Sequence, residues 1–415
     1  MKHKDVLELK KRLKKDHCTI SQVSGCYVNS EKQIVATYRE TFLNLEESEF
    51  FKYLEIAKKI LSGTWGNHLL ELGFQREEIG AEGRQAMLVD LKRSRLKDDE
   101  LIQAFYRQII DTYQTEGNFL ILLFSDAYDV MKRTRDNLKL DESEETFEYI
   151  LCAVCPVTLS DPGLHYEAGE QRMRALGRDW VVSAPAQGFL FPAFSEHSGD
   201  VNSLLYYTKN PREPHPELME TVLGCEGVMT TALQRESLQT LLQEAVGYEE
   251  EKAENLFLDL QEELHSIVAE QENQSESDPE PVVLTSIQIQ DILADKAPVE
   301  VLQKIEEVYE EYFQSDLPLA DRMLDPKALK TAEKRKKEQA LEKQVENLKQ
   351  MLRDSAQDPT LPLTMEQTEG IDVQLQVRPE KVAQIKAQYI DGQKCIIIPL
   401  EEDEEAIING QSGIL

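Results

Sequence analysis

Apolar residues recur along this chain at helical spacing in some stretches and in unbroken runs in others, and the contrast predicts its elements. Val6, Leu9 and Leu13 fall on one side of a short helix over 5–15, with lysines around the rest. Ile20–Asn29 and Gln33–Glu40 are rich in β-formers and are separated by Ser30, Glu31 and Lys32, which predicts a hairpin. Phe50, Leu54, Ala57 and Leu61 recur at helical spacing over 46–61, and Gly63 supplies a stop. The clearest helix covers 99–113, where Ile102, Phe105, Tyr106, Ile109, Ile110 and Tyr113 form one wide apolar stripe. The pattern then changes. Phe119–Phe124 and Phe147–Val157 are continuous apolar runs, short and rich in Ile, Leu and Val, as central strands are. Short strands are expected at 180–182, 188–190 and 204–207. The fold class is α+β, with helices first and a sheet after.

Helical periodicity returns at Leu233–Val246. Ser286 can cap a short helix carrying Ile289, Ile292 and Leu293, and Pro298 suits the first turn of the next. That next helix puts Val301, Leu302, Ile305, Val308, Tyr309, Tyr312 and Phe313 on one face. Lys327–Arg353 reads as a long polar helix. Leu341, Val345, Leu348 and Leu352 keep a seven-residue rhythm for fewer than two heptads, short of what a coiled coil needs, so a solvated connecting helix is expected. In the tail, Val373, Leu375 and Val377 alternate with polar residues as a half-buried strand does, and Pro379 opens a short helix. The segments 387–390 and 393–399 flank Asp391-Gly392, a hairpin turn signal, and 406–409 suggests a last strand.

Charge sets the boundaries. The chain carries −31, and 241–320 holds 21 Asp and Glu against 3 Lys and Arg. The division that follows is an α+β body over 1–245, an acidic helical arm over 246–325 with a linker at 273–281, a connecting helix over 326–354, a linker over 355–370 and a small α+β tail over 371–415. So much negative charge opposes binding to nucleic acid or anionic membranes. No apolar run approaches the roughly 20 residues of a membrane span. The basic N-terminus lacks the apolar stretch of an export signal. The cysteines are sparse, six in all. The expectation is a cytoplasmic protein with reduced thiols.

Few side chains suggest chemistry. Cys152 and Cys155 have the spacing of a metal or redox pair, but on a strand residues three apart point to opposite faces. Cys18 and Cys26, with His17, do not complete a site. Asp126 and Asp129 follow a strand, where both turns and active sites place carboxylates. Asp161, His165, Glu167 and Asp179 lie in one polar stretch, and Glu196, His197 and Asp200 in another; solvated loops account for both. The candidate set for an enzyme is Asp126, Asp129, Asp161 and His165. Aromatic residues are dense from Trp180 to Tyr207 with few lysines among them, which favours core or a partner groove over base stacking. There is no phosphate-binding glycine loop, dinucleotide fingerprint or nucleophile elbow, so no cofactor is expected.

Several runs carry a family likeness: Asn118–Asp129, Tyr149–Leu164, Asp179–Val182, Phe189–Phe194, Ser24–Val28, and in the tail Arg378-Pro379-Glu380 and Ile390-Asp391-Gly392. Together they resemble a bacterial family catalogued as domain of unknown function 4317. The resemblance implies that family's fold and brings no activity with it. It also implies that the helix to Arg353 is an insertion. The layout is fainter in its likeness to nucleoid-associated proteins, which share a mixed body, a helical middle and a small tail. The leading expectation is a protein-interaction or scaffold role, with the 299–313 helix as a partner surface. The alternatives are a hydrolase or transferase with its site near 126–200, and a nucleoid-associated protein using the basic 2–15 helix.

Overall fold

The structure, a computed structural model, describes residues 1–80, 82–130, 145–195, 198–274, 282–313, 316–357, 385–390, 393–397, 406–408 and 411–413. The expected strand at 373–377, the helix after Pro379, the second linker beyond 357 and most of the first linker lie outside these residues, as do Glu196 and His197.

The body is built on an eight-stranded antiparallel sheet. Its strands are β1 (Gln22–Val28), β2 (Ile34–Thr41), β3 (Leu69–Gly73), β4 (Asn118–Val130), β5 (Glu145–Leu159), β8 (Trp180–Val182), β9 (Gln187–Phe191) and β12 (Ser203–Thr208). They run in the order β2-β1-β4-β5-β9-β12-β3, with β8 pairing the far end of β5. Two small hairpins stand off this sheet, β6 (Gly163–Glu167) with β7 (Arg172–Leu176) and β10 (Ala193–Ser195) with β11 (Ser198–Asp200). The two continuous apolar runs are the central strands β4 and β5, as their composition predicts. Both faces of these strands are covered. On one face Ile121, Leu123, Ile150 and Cys152 meet α3 (Arg84–Ser94), α4 (Asp99–Thr112) and a π-helical turn at Leu218–Val222. On the other, Leu120, Leu122, Leu151 and Cys155 meet α1 (His3–Arg12) and α2 (Glu47–Ile60).

The order of elements differs from helices first and sheet after. β1 and β2 precede α2 in the chain yet lie beside β4, and β3, with no strand signal beyond a five-residue run, closes the opposite edge. Long-range pairing rather than local propensity decides their place. The α4 stripe is buried as its periodicity requires, and Asp98 caps the helix by accepting the Leu101 N–H.

The arm has its own core, formed by α5 (Thr231–Ala245), α6 (Glu250–Gln274), α7 (Ser286–Leu293), α8 (Val299–Phe313), α9 (Ala320–Met323) and the first turns of α10 (Pro326–Gln357). This core begins at Leu238, inside the segment that charge alone assigned to the body, because α5 packs on α6 and α8. The cap of α7 is Thr285 rather than Ser286: its hydroxyl accepts the Gln288 N–H while the Gln288 amide oxygen accepts the Thr285 N–H. The apolar stripe of α8 is spent inside the arm. Ile305, Val308, Tyr309 and Phe313 are all buried there, and the Tyr309 hydroxyl donates to the Leu284 carbonyl.

The chain separates into two compact units, Met1–Lys337 and Glu338–Leu415. In the second unit β13 (Lys386–Ile390) and β14 (Gln393–Ile397) form the hairpin that Asp391-Gly392 signals, and β15 (Ala406–Ile408) pairs β16 (Gln411–Gly413). Leu341, Val345 and Leu348 of α10 are exposed.

Candidate functional site

The cross-strand register lines up a row of side chains on the α1/α2 face. Tyr27 of β1 faces Leu120 of β4, which faces Cys155 of β5. Tyr38 of β2 faces Gly25 on the same side. Over this floor α2 passes with Glu49, Lys52, Tyr53 and Ile56, and beyond Val157 the short strand β8 raises Trp180 and Val182. Between them lies an open, mostly apolar cleft of about 540 Å³.

Hydrogen bonds fix its aromatic walls. The Tyr38 and Tyr53 hydroxyls meet at 2.9 Å, joining β2 to α2. The Tyr27 hydroxyl accepts from Asn118 Nδ2 at 2.8 Å. Burial pushes the Tyr38 and Tyr53 phenols above their ordinary range, so both stay neutral and act as shaped apolar surfaces with a polar tip. Trp180 is 54% exposed, and Val181 and Val182 are also exposed. β8 pairs only with β5 among the described strands, so one of its edges is open for hydrogen bonding.

The sequence-predicted site residues fall elsewhere. Asp126 sits near the end of β4, buried at 3% exposure, where its carboxylate accepts from the Tyr149 hydroxyl and from the Ala127 N–H. Burial raises its pKa, partly offset by those hydrogen bonds, by Thr19 and by the charge of Arg12. Asp129 is three residues further along the same strand. Asp161 is exposed in the loop after β5, and His165 lies in β6 with Nε2 3.5 Å from Glu167. Asp126 pairs with Tyr149, and from Tyr149 to Leu159 the strand advances about 33 Å at about 3.3 Å per residue. Asp126 is therefore not brought together with Asp161 or His165. Cys152 and Cys155 point to opposite faces, each into a separate core, as strand alternation requires. Among the described residues no group of three or more His, Cys, Asp or Glu is placed to hold a metal ion.

Sequence reasoning picked out Trp180 but passed over Tyr38 and Tyr53. A signal for Tyr53 was present: Glu49, Tyr53 and Ile56 form a second row on α2 at helical spacing, offset from the buried row Phe50, Leu54 and Ala57. The basic N-terminal helix is docked, not free-standing. Val6, Leu9 and Leu13 are buried, Lys10 donates to Ser62 Oγ at 2.7 Å, and Lys15 pairs with Glu47.

The family described as Domain of unknown function (DUF4317) has a model that matches residues 1–411. The chain belongs to this family. The match takes in the body, the arm, α10 and the β13–β14 hairpin of the tail. Comparison with curated proteins returns no match. Among the described residues, no helix is long and apolar enough to cross a membrane.

Proposed function

We propose that this protein works by binding a partner protein, in the cytoplasm, and that the partner's contact is an extended apolar segment laid into the aromatic cleft. The observation that carries this reading is the exposure of Trp180, Val181 and Val182 on a strand with an open edge, beside a cleft walled by three tyrosines. Trp and Tyr dominate the energetics of protein interfaces because they bury large area at small entropic cost. An open strand edge supplies main-chain hydrogen bonds to an incoming extended segment, and the adjoining cleft takes its alternate side chains. None of the six cysteines is in a disulfide, which suits a reducing compartment. The α8 stripe is a weaker candidate for partner binding, since the arm's own core occupies it.

Photo-crosslinking in the native host tests the reading. A photoreactive residue replacing Trp180 should capture one discrete partner, and adding Tyr53→Ala should abolish the adduct. The same residue at Tyr248, which is 70% exposed in the arm, should not capture it. Adducts of equal yield at both positions, or none at Trp180, would rule the cleft out as the interface.

A further inference from the structure

The pairing of β5 with β8 does not stop where the two strands leave the sheet. It runs from Val157 opposite Val182 to Leu159 opposite Trp180, and the Ser160 N–H then donates to the Asp179 carbonyl at 2.8 Å. Beyond that point the same two chain segments pair again as β6 and β7. The result is a two-stranded finger over 159–180. From Leu159 to Glu167 it spans at most about 26 Å at the rise of a strand. Leu164 opposite Ala175 and Tyr166 opposite Met173 share one face of the finger. His165 opposite Arg174 and Glu167 opposite Arg172 share the other. The usual burial is inverted here. Leu164, Tyr166 and Met173 are each more than half exposed, while His165 and Glu167 are half-buried. A lone two-stranded hairpin is marginal in water, so an apolar face turned outward calls for a cover.

The size of the exposed surface sets the kind of cover. With Leu159, Trp180 and Val182, those three residues leave roughly 600 Å² in water, taking about 150–250 Å² for each whole residue. A standard protein interface takes about 800 Å² from each side, part of it a polar rim. The patch is therefore the size of the apolar core of one half of an interface. Charge narrows the occupant. Residues 163–178 carry Arg172, Arg174 and Arg178 against Glu167 and Glu170, a net of +1 on a chain of −31. Such a finger is drawn to a strongly acidic surface, and a second copy of this chain presents one. The aromatic cleft adjoins the base of the finger, where Trp180 and Val182 line it, yet Leu164, Tyr166 and Met173 are not among its lining residues. A two-fold axis beside Trp180 would carry each finger to the other copy's cleft and cover both apolar surfaces in one closed contact.

We infer that the segment filling the aromatic cleft is the β6–β7 finger of a second copy of this chain, exchanged reciprocally in a two-fold dimer. The inference rests on the cleft being a partner site and names the partner. Leu164 and Tyr166 are alternate residues of one strand, so both enter the cleft of about 540 Å³ from the same side. The strand that carries them adds to the open edge of β8, which supplies the main-chain hydrogen bonds.

The test uses the purified full chain. Sedimentation velocity at micromolar concentration should give twice the mass of one chain. Tyr166→Asp with Met173→Asp, two changes on the exposed face, should raise the dissociation constant at least about thirtyfold, the size of a hot-spot loss. Trp180→Asp should do the same from the cleft side. An equimolar mixture of the finger variant and the cleft variant should regain part of the dimer, because one intact finger still meets one intact cleft. A photoreactive residue replacing Trp180, in a mixture of isotope-labelled and unlabelled chains, should give mixed adducts that map to 163–176. A monomer in sedimentation, a dimer unmoved by the finger variant, no dimer in the mixture, or an adduct mapping elsewhere would each overturn the proposal. The two readings fail separately. A monomer whose residue 180 still captures a different protein in the host ends the dimer and leaves the cleft an interface, whereas no adduct in either setting ends both. If the finger variant fails to fold by circular dichroism, the adduct map decides.

Discussion

Tyr38 lies across the bare α-carbon of Gly25, the residue it faces in the β1–β2 register. A Cβ at Gly25 would fall inside the Tyr38 ring, so the glycine is what lets the ring lie flat and its hydroxyl reach Tyr53. Gly25→Ala must push the ring off the sheet. The expected cost is about 1–3 kcal/mol, the usual range for overpacking. Urea denaturation measures it, and the double variant Gly25→Ala/Tyr38→Ala should recover part of the loss, since the two side chains compete for one space. Strictly additive losses would mean that the pair is not coupled.

The thiols should divide by burial. Cys26, Cys152, Cys155 and Cys225 are buried, and Cys18 and Cys395 are partly exposed. Burial pushes Cys26 up to about 11, and Cys155 and Cys225 up to about 12, while Cys152 is raised further. Thiolate is the reactive form, so these four stay inert at pH 8. Ellman's reagent on the native protein should titrate at most two of the six thiols quickly, and all six in guanidinium. Fast labelling of Cys152 would contradict its place in the core.

Asp126 should make stability fall as pH rises. Its folded pKa is raised, chiefly by burial. At low pH the carboxyl is protonated in both states. Rising pH ionises the unfolded chain first, from about pH 4, so unfolding gains over folding until the buried carboxyl ionises too. The contribution of Asp126 is therefore present at acid pH and lost as pH rises through its folded value. Asp126→Asn, which keeps an acceptor for the Tyr149 hydroxyl, should abolish this decline. The difference in unfolding free energy, wild type minus variant, should drop between pH 4 and pH 8; a flat or rising difference would refute the argument.

Much of the fold could be read from the chain, and much of the site could not, for one physical reason. Periodicity reports which face of an element is buried, so α4, β4, β5 and the tail hairpin are legible from their own residues. It does not report which distant element covers that face. The α8 stripe is a case in point: Ile305 and Phe313 announce a buried surface, and only the arm's tertiary packing shows that the chain itself supplies the cover. The aromatic cleft draws Tyr27, Tyr38, Tyr53 and Trp180 from four elements spread over about 150 residues, and no local spacing links them.

Truncating Ile305 separates the two uses of α8. Ile305 is fully buried among the arm helices, whereas Val299 on the same helix is 65% exposed. Ile305→Ala removes packed methyl groups and should cost about 2–5 kcal/mol, the range for large-to-small core changes. Val299→Asp lies outside the core and should change stability by no more than about 0.5 kcal/mol. Thermal denaturation measures both. If α8 were a partner surface, Val299→Asp should instead weaken partner capture while Ile305→Ala left stability untouched. The packing predicts the opposite: Ile305→Ala lowers the melting temperature, and crosslinking at Trp180 in Val299→Asp keeps its wild-type yield, because the cleft and this helix belong to separate cores.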